Sequence, residues 1–264
     1  IEAAHALPAA SPEDRELRRQ FVPGYLSSMP ERYVLSNSAA AIAAHAELAR
    51  KHRQGVASVA LVPSRHPQAA EICIIAADRP GLLASITSAL AASRLEVHAA
   101  QIHSRVLSDG TIEAVDLFWV RDRGEGVDGV ARALSGLARD LDAVLSGRIE
   151  PRELASKRVR ASRTDRVTPP VRTQIGIDDR ASPRHTVIEV MTRDRPGLLY
   201  AIADVLYRLG LVIAVAKINT EGTRVADVFY VSEANGDKVA PGKRTNEVRE
   251  RIAEVLEALE QERQ

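Results

Sequence analysis

Cysteine is almost missing from this chain: among 264 residues only Cys73 carries a thiol, inside the apolar run "EICIIAA". A lone thiol excludes an internal disulfide and fits a reducing, cytoplasmic compartment. Aromatic residues reach only 3%, so the core has to be aliphatic, and an apolar content of 45% supplies it. No apolar run approaches the roughly 18 residues of a membrane span, and no signal-peptide pattern opens the chain. Charge of one sign is lacking too. Lys plus Arg is 36 against Asp plus Glu 35, a formal charge of +1. That balance argues against broad attraction to nucleic acid or to a membrane. An initiating Met is also absent; a chain starting at Ile1 is expected to be a piece of a longer protein.

What is present is a repetition. "DRPGLL" stands at Asp78–Leu83 and again at Asp194–Leu199, each time after a short apolar run and before a helical pattern. The copies stay 116 residues apart from the preceding strand to Ile102/Ile218, then 111 apart, so that Asp116 matches Asp227 and "DLFWV" matches "DVFYV". A length change at a turn, with both flanks in register, is what duplication of a folded unit leaves behind.

Each copy reads strand, strand, helix, strand, strand, helix. In the first, "VASVALV" and "EICIIAA" are strands. Leu82, Leu83, Ile86 and Leu90 then recur at helical spacing. Two more strands are joined through Ser108-Asp109-Gly110, and a helix carries Val130, Leu134, Leu137, Leu141 and Leu145 on one face. The β-α-β-β-α core is ferredoxin-like but lacks that fold's last strand. The strand added before each unit is expected to fill the vacant edge, by a hairpin within its own unit. In the alternative, Val171–Ile177 closes the first unit and the second stays open. The fold class is therefore α+β. The expected division is a helical segment over 1–55, one unit over 56–150, a basic linker over 151–170 with at most a short helical turn, and a second unit over 171–264. Several strands are apolar on both faces, so their second face is expected to be covered as well.

The hexapeptide junction has readable chemistry. Pro80 and Pro196 set φ where a helix starts. Gly81 and Gly197 let another group approach the backbone. The free amides of a first helical turn attract a carboxylate, and Asp78 or Asp194 offers an anion for an ammonium. Together they suit an amino acid. The plainer reading is that Asp caps, Pro starts and Gly permits packing. Asp116 and Asp227 read either as exposed strand positions or as contacts to a ligand or to the other unit. The histidines do not combine into a metal site: His98 and His103 fall on opposite sides of one strand, and His45 and His52 lack partner ligands. Phe118-Trp119 and Phe229-Tyr230 read as packing, since no Lys/Arg-Gly-aromatic strand of RNA-binding type is present. Lys157, Arg158, Arg160, Arg163 and Arg166 read as a solvated linker.

Two units with "DRPGLL" after the first strand resemble ACT domains, ferredoxin-like modules that bind amino acids. The tandem running from "SPRHTVIEV" through "DVFYV", preceded by "MPERYVLSNSAAAIAAHAEL", resembles the end of the protein-PII uridylyltransferase/uridylyl-removing enzymes. The resemblance implies a parent with a nucleotidyltransferase domain using UTP and Mg, an HD domain that hydrolyses the product, and ACT units that sense glutamine and pair with each other or across subunits. Residues 1–55 would then be the connector from the HD domain. PII would be met through the parent. The transferase's Gly-Ser and paired-Asp signature is absent, as is any His-Asp dipeptide, so only the regulatory role carries over, with no catalytic residue, cofactor or metal in this piece. The implied glutamine site takes Asp78, Gly81 and Leu82 with Gln101 and His103 in the first unit. In the second it takes Asp194, Gly197 and Leu198 with Lys217 and Asn219. The rival readings are a structural pair used for assembly, and an amino-acid-binding regulator of another enzyme or of transcription.

Overall fold

The structure, a computed structural model, describes residues 11–52, 57–64, 66, 68–122, 124–159 and 171–261. The proposed helix end at Gly55 and most of the basic run (Arg160, Arg163, Arg166) lie outside the described residues. Among the described residues three helices come first: α1 (Pro12–Ser28), α2 (Glu31–Ser36) and α3 (Ala39–Lys51). The first unit follows as β1 (Ser58–Val62), β2 (Ala70–Ala77), α4 (Leu82–Ala92), β3 (Leu95–Gln101), β4 (Ser104–Val106), β5 (Ile112–Asp122) and α5 (Gly126–Leu145). The stretch read as linker opens instead with a helix, α6 (Pro151–Val159), whose Leu154 and Ala155 are buried. The second unit repeats the pattern as β6 (Gln174–Asp178), β7 (Thr186–Arg193), α7 (Leu198–Arg208), β8 (Leu211–Lys217), β9 (Thr220–Glu221), β10 (Arg224–Glu233) and α8 (Lys243–Gln261).

The sheets run in the orders β1-β2-β5-β3 and β6-β7-β10-β8, with β4 and β9 as short additions to β5 and β10. Every pairing is antiparallel. The added strand fills the vacant edge of its own unit: Ala60 lies opposite Cys73, and Ile175 lies opposite Val190. The open alternative, with the second unit's leading strand lent to the first, is not what forms. A hairpin closes at lower entropic cost than a crossover of a hundred residues, and Asp178 supports the β6–β7 turn by accepting from the Arg180 and Ala181 amides.

Helices α4, α5, α7 and α8 lie against the inner faces of the sheets, with α6 packed on α4 and α5, in one continuous aliphatic core reaching from Ile72 and Phe118 to Ile188 and Phe229. The two units therefore do not have separate cores. The outer face of the first sheet is covered too, by α1 to α3: Tyr25, Tyr33 and Ile42 pack on Cys73, Ile75, Leu117 and Trp119. This accounts for the strands of the first sheet that are apolar on both faces. In the second sheet burial alternates along the strands and the outer face leaves Met191 and Val212 exposed, so the expected cover is not found there among the described residues. A buried polar thread runs through the layer. The hydroxyls of Tyr25 and Tyr33 are 3.0 Å apart, Tyr33 Oη is 2.8 Å from His45 Nδ1, and His45 Nε2 is 3.1 Å from Glu71 Oε1. Arg32 of α2 donates to the carbonyls of Ile102 (3.3 Å) and Ala214 (3.2 Å), one in each unit, so a single guanidinium joins the helical segment to both.

The β6 pairing generates a test. Because the units share one core, the test uses the whole chain: replacing Ile175 and Ile177 together by Ala removes the contacts of β6 with the core and should cost about 2–4 kcal/mol of stability. An unchanged urea midpoint would contradict the placement of β6.

Candidate functional site

Both hexapeptides build the same junction. The Leu82 amide donates to Arg79 O and the Leu198 amide to Arg195 O, each at 3.1 Å. With Gly81 at φ +79° and Gly197 at φ +78°, Arg-Pro-Gly-Leu is a type II turn, Pro in its second place and Gly in its third. The helices therefore start at Leu82 and Leu198, two residues later than a Pro-initiated helix would. The glycines are required for their left-handed backbone, which any side chain would strain. The turn also occupies the leucine amides, so the amides available to an anion on the second helix are those of Leu199 and Tyr200, which have no carbonyl four residues back within the helix.

Although the turns match, their surroundings differ. The second junction borders a cavity of about 100 Å³ walled by both units. From the second unit come residues Asp194 to Tyr200 with Ile218, Thr220, Val225 and Asp227. From the first come the end of α4 and the start of β3, including Ala91, Arg94 and His98. One water needs about 10–15 Å³ by this measure, so the space suits a small molecule of amino-acid size rather than a nucleotide. At the first junction the equivalent position is filled. A Cβ placed on Gly81 would stand 3.1 Å from the Tyr207 ring. In the 116-residue register Tyr207 corresponds to Ala91, and Ala91 is on the cavity wall. The duplication sets an alanine on the cavity wall beside the second junction and a tyrosine ring against the glycine of the first.

The structure overturns the exposed-strand reading of the two acids. Asp116 and Asp227 are both 1% exposed, not surface positions. Asp227 lines the cavity, and its Oδ1 accepts from the Asn219 amide at 3.3 Å. Burial, reinforced by the charge of Asp194, raises its pKa to about 8 against the partial opposition of the Asn219 amide. Asp116 is pushed well above the usual carboxylate range by burial, then by Asp78. Each unit thus pairs a junction Asp with a buried strand Asp, but only Asp194 and Asp227 open on a cavity.

The residues singled out from sequence are distributed unevenly. Asp194, Gly197 and Leu198 line the cavity. Asp78, Gly81 and Leu82 form the first junction, whose Gly81 faces the Tyr207 ring while Asp78 is exposed and accepts from Ser104 Oγ at 2.6 Å. Gln101 and His103 turn towards the helical segment: His103 Nε2 is 3.3 Å from Gln101 Oε1, and its ring meets Tyr33 edge-on. Burial, then Arg32 and His45, lowers the His103 pKa to about 3. After β8 the alternation places Ile218 and Thr220 on the wall and leaves Lys217 and Asn219 off it; Lys217 Nζ sits over the Tyr230 ring at 5.3 Å. Sequence reasoning missed the first unit's wall, Arg94 and His98, because it paired each junction with its own following strand. The Asp116/Asp227 match had already raised a ligand contact as one reading of Asp227, which the cavity wall now includes. No group of three or more His, Cys, Asp or Glu suited to a metal occurs among the described residues. None of the described helices is long and apolar enough to cross a membrane.

Residues 181–257 match the ACR family N-terminal ACT domain, so the second unit is an ACT domain. The chain is also similar to curated proteins described as bifunctional uridylyltransferase/uridylyl-removing enzyme. That of Gluconobacter oxydans is 41% identical over 186 residues, covering 69% of this chain and 19% of the relative. That of Rhodospirillum rubrum is 33% identical over 242 residues, 89% of this chain and 24% of the relative. That of Caulobacter vibrioides is 36% identical over 244 residues, 90% and 25%. The chain spans about a fifth to a quarter of the length of these relatives.

The buried acid yields a prediction. Asp227 has a folded pKa of about 8 against an ordinary 3.8, so the folded state holds its proton more tightly. Its contribution to stability is full below about pH 4 and is lost as pH rises through about 8. Asp227→Asn removes that loss. The variant should therefore gain stability relative to the parent chain between pH 5 and pH 8, with the gap widening as pH rises. Parallel curves of urea midpoint against pH would contradict the assignment.

Proposed function

We propose that this chain is the regulatory, glutamine-sensing portion of a bifunctional uridylyltransferase/uridylyl-removing enzyme that acts on the PII signalling protein in the reducing cytoplasm. The observation that carries the reading is the cavity between the units. It brings together a carboxylate pair, a helix N-terminus and room for one small zwitterion. The similarity to uridylyltransferase/uridylyl-removing enzymes supplies the parent activity, and a PII protein would be met by the parent's catalytic domains. Residues 1–55, tied to both units through Arg32, would be the connector to the hydrolase domain. The described residues hold no transferase or hydrolase signature; UTP and Mg would belong to the parent's transferase domain.

In this reading the ligand's ammonium lies between Asp194 and Asp227, and its carboxylate meets the Leu199 and Tyr200 amides at the positive end of α7. The site of the second unit is favoured over that of the first, because Tyr207 covers the Gly81 turn. Glutamine binding also becomes linked to protons. An ammonium stabilises Asp227 in its charged form, whereas the empty site holds that group protonated up to about pH 8. Binding should therefore release a proton, and affinity should rise as pH goes from 6 to 8, by at most about tenfold per pH unit. Calorimetry in two buffers of different ionisation enthalpy measures both effects. Asp194→Ala should weaken binding by roughly 10- to 150-fold, the loss of one charge-assisted hydrogen bond. Absence of glutamine uptake at millimolar concentration, or normal binding by Asp194→Ala, would refute the site.

A further inference from the structure

The first unit's wall of the cavity departs from its own duplicate at six of its eight positions, three of which bear on the cavity's shape and chemistry. Ala91 stands where the second unit has Tyr207, Arg94 where it has Gly210, and His98 where it has Ala214. Arg94 holds a left-handed backbone at φ +62°, the one such non-glycine residue among those described, at a position where Gly210 sits unstrained at φ +75°. His98 sits at a β-bulge. The β3–β5 register runs Val97↔Val120 and then Ala99↔Trp119, which leaves His98 as the extra residue. The second unit carries the same irregularity at Ala214, between Ile213↔Val231 and Val215↔Tyr230. A bulge lifts one residue out of the ladder and re-aims its side chain. At Ala214 that freedom presents only a methyl group, and the backbone carbonyl there serves Arg32. At His98 it presents an imidazole on the cavity wall, whose Nε2 is buried with no hydrogen-bond partner.

A buried ring nitrogen without a partner forfeits hydrogen bonds it would have made in water, so it is a place where a ligand's polar group restores what folding removed. The one hydroxyl among the described residues of the first unit's wall, that of Thr87, cannot take that role as readily. Thr87 Oγ1 is already spent on the carbonyls of Leu83 (2.7 Å) and Ala84 (3.2 Å) of its own helix. In the reading proposed above the second unit's side takes the charged ends of the amino acid, so the ligand's side chain extends towards the first unit, whose wall carries Arg94 and Glu96 beside His98.

We infer that His98 is the specificity-determining residue of this site: standing on the bulge of the first unit, it hydrogen-bonds the polar end of the side chain of an amino acid whose ammonium and carboxylate are held by the second unit. This rests on the amino-acid reading proposed above. Recognition is therefore split. The unit that carries the open junction anchors any small amino acid, and its neighbour decides which one stays.

The test compares L-glutamine with L-norvaline, which keeps a three-carbon side chain but has no amide, by calorimetry on the whole chain. His98→Ala should lower glutamine affinity about 2- to 12-fold, the range for one neutral hydrogen bond, and leave norvaline unchanged. His98→Gln, which keeps a hydrogen-bonding group in the strand, should restore part of the preference and serves if the alanine variant fails to fold. Asp227→Asn should weaken both ligands alike. Equal loss of both ligands in His98→Ala, or no loss of either, overturns the role of His98 while leaving the site intact. Failure of the unmutated chain to bind either ligand overturns the amino-acid reading, and this inference with it.

Discussion

Helix α4 is the element on which the rest of the molecule leans. Ten of its eleven residues are buried, although its sequence "LLASITSALAA" includes three hydroxyl side chains. Those hydroxyls return to carbonyls of their own helix: Ser85 to Gly81, Thr87 to Leu83 and Ser88 to Ser85. The helix thereby behaves as an all-round apolar rod with small side chains. Such a rod can be approached closely from every side, and α5, α6 and α7 all pack on it. Because α7 is its own duplicate, this contact fuses the two cores into one.

The same contact destroys the equivalence of the repeats. Two copies of a unit packed about an approximate two-fold would present two matching junctions, each covered by the other copy's helix. What decides whether a junction is open is one side chain on the covering helix. Tyr207 lies over the Gly81 turn, while Ala91 leaves room beside the Gly197 turn. The buried acids follow suit. Asp116 and Asp227 occupy matching strand positions and both are pushed towards the neutral form by burial, but only Asp227 faces space that a cation could enter. Duplicated chemistry becomes a single functional asymmetry through packing alone.

The helical segment ahead of the units is bound into this arrangement rather than hung from it. The Tyr25–Tyr33–His45–Glu71 thread holds it on the first sheet, and Arg32 reaches carbonyls in both units, including that of Ala214 at the second unit's bulge. Buried polar threads of this kind do little for net stability when complete, but leaving any one partner unpaired is costly. They therefore specify one relative placement of the three parts.

Much of this was legible in the residues. The repeat, its change of register at one turn, the α+β class and the origin of each edge strand follow from strand and helix periodicities and from turn chemistry, which are local. The junction was legible as a site for the same reason, since Asp-Arg-Pro-Gly-Leu dictates its own turn. Its leucine amides were misjudged only because a type II turn consumes them before the helix begins. The wall opposite was not legible. Which strand faces Asp194, whether a tyrosine or an alanine lies over a glycine, and that His98 leaves its ladder all depend on how two distant copies of one unit meet. Periodicity records the face on which a side chain lies within its own element, whereas the cavity is made of what another element places against it, and contacts separated by a hundred residues leave no local pattern to read.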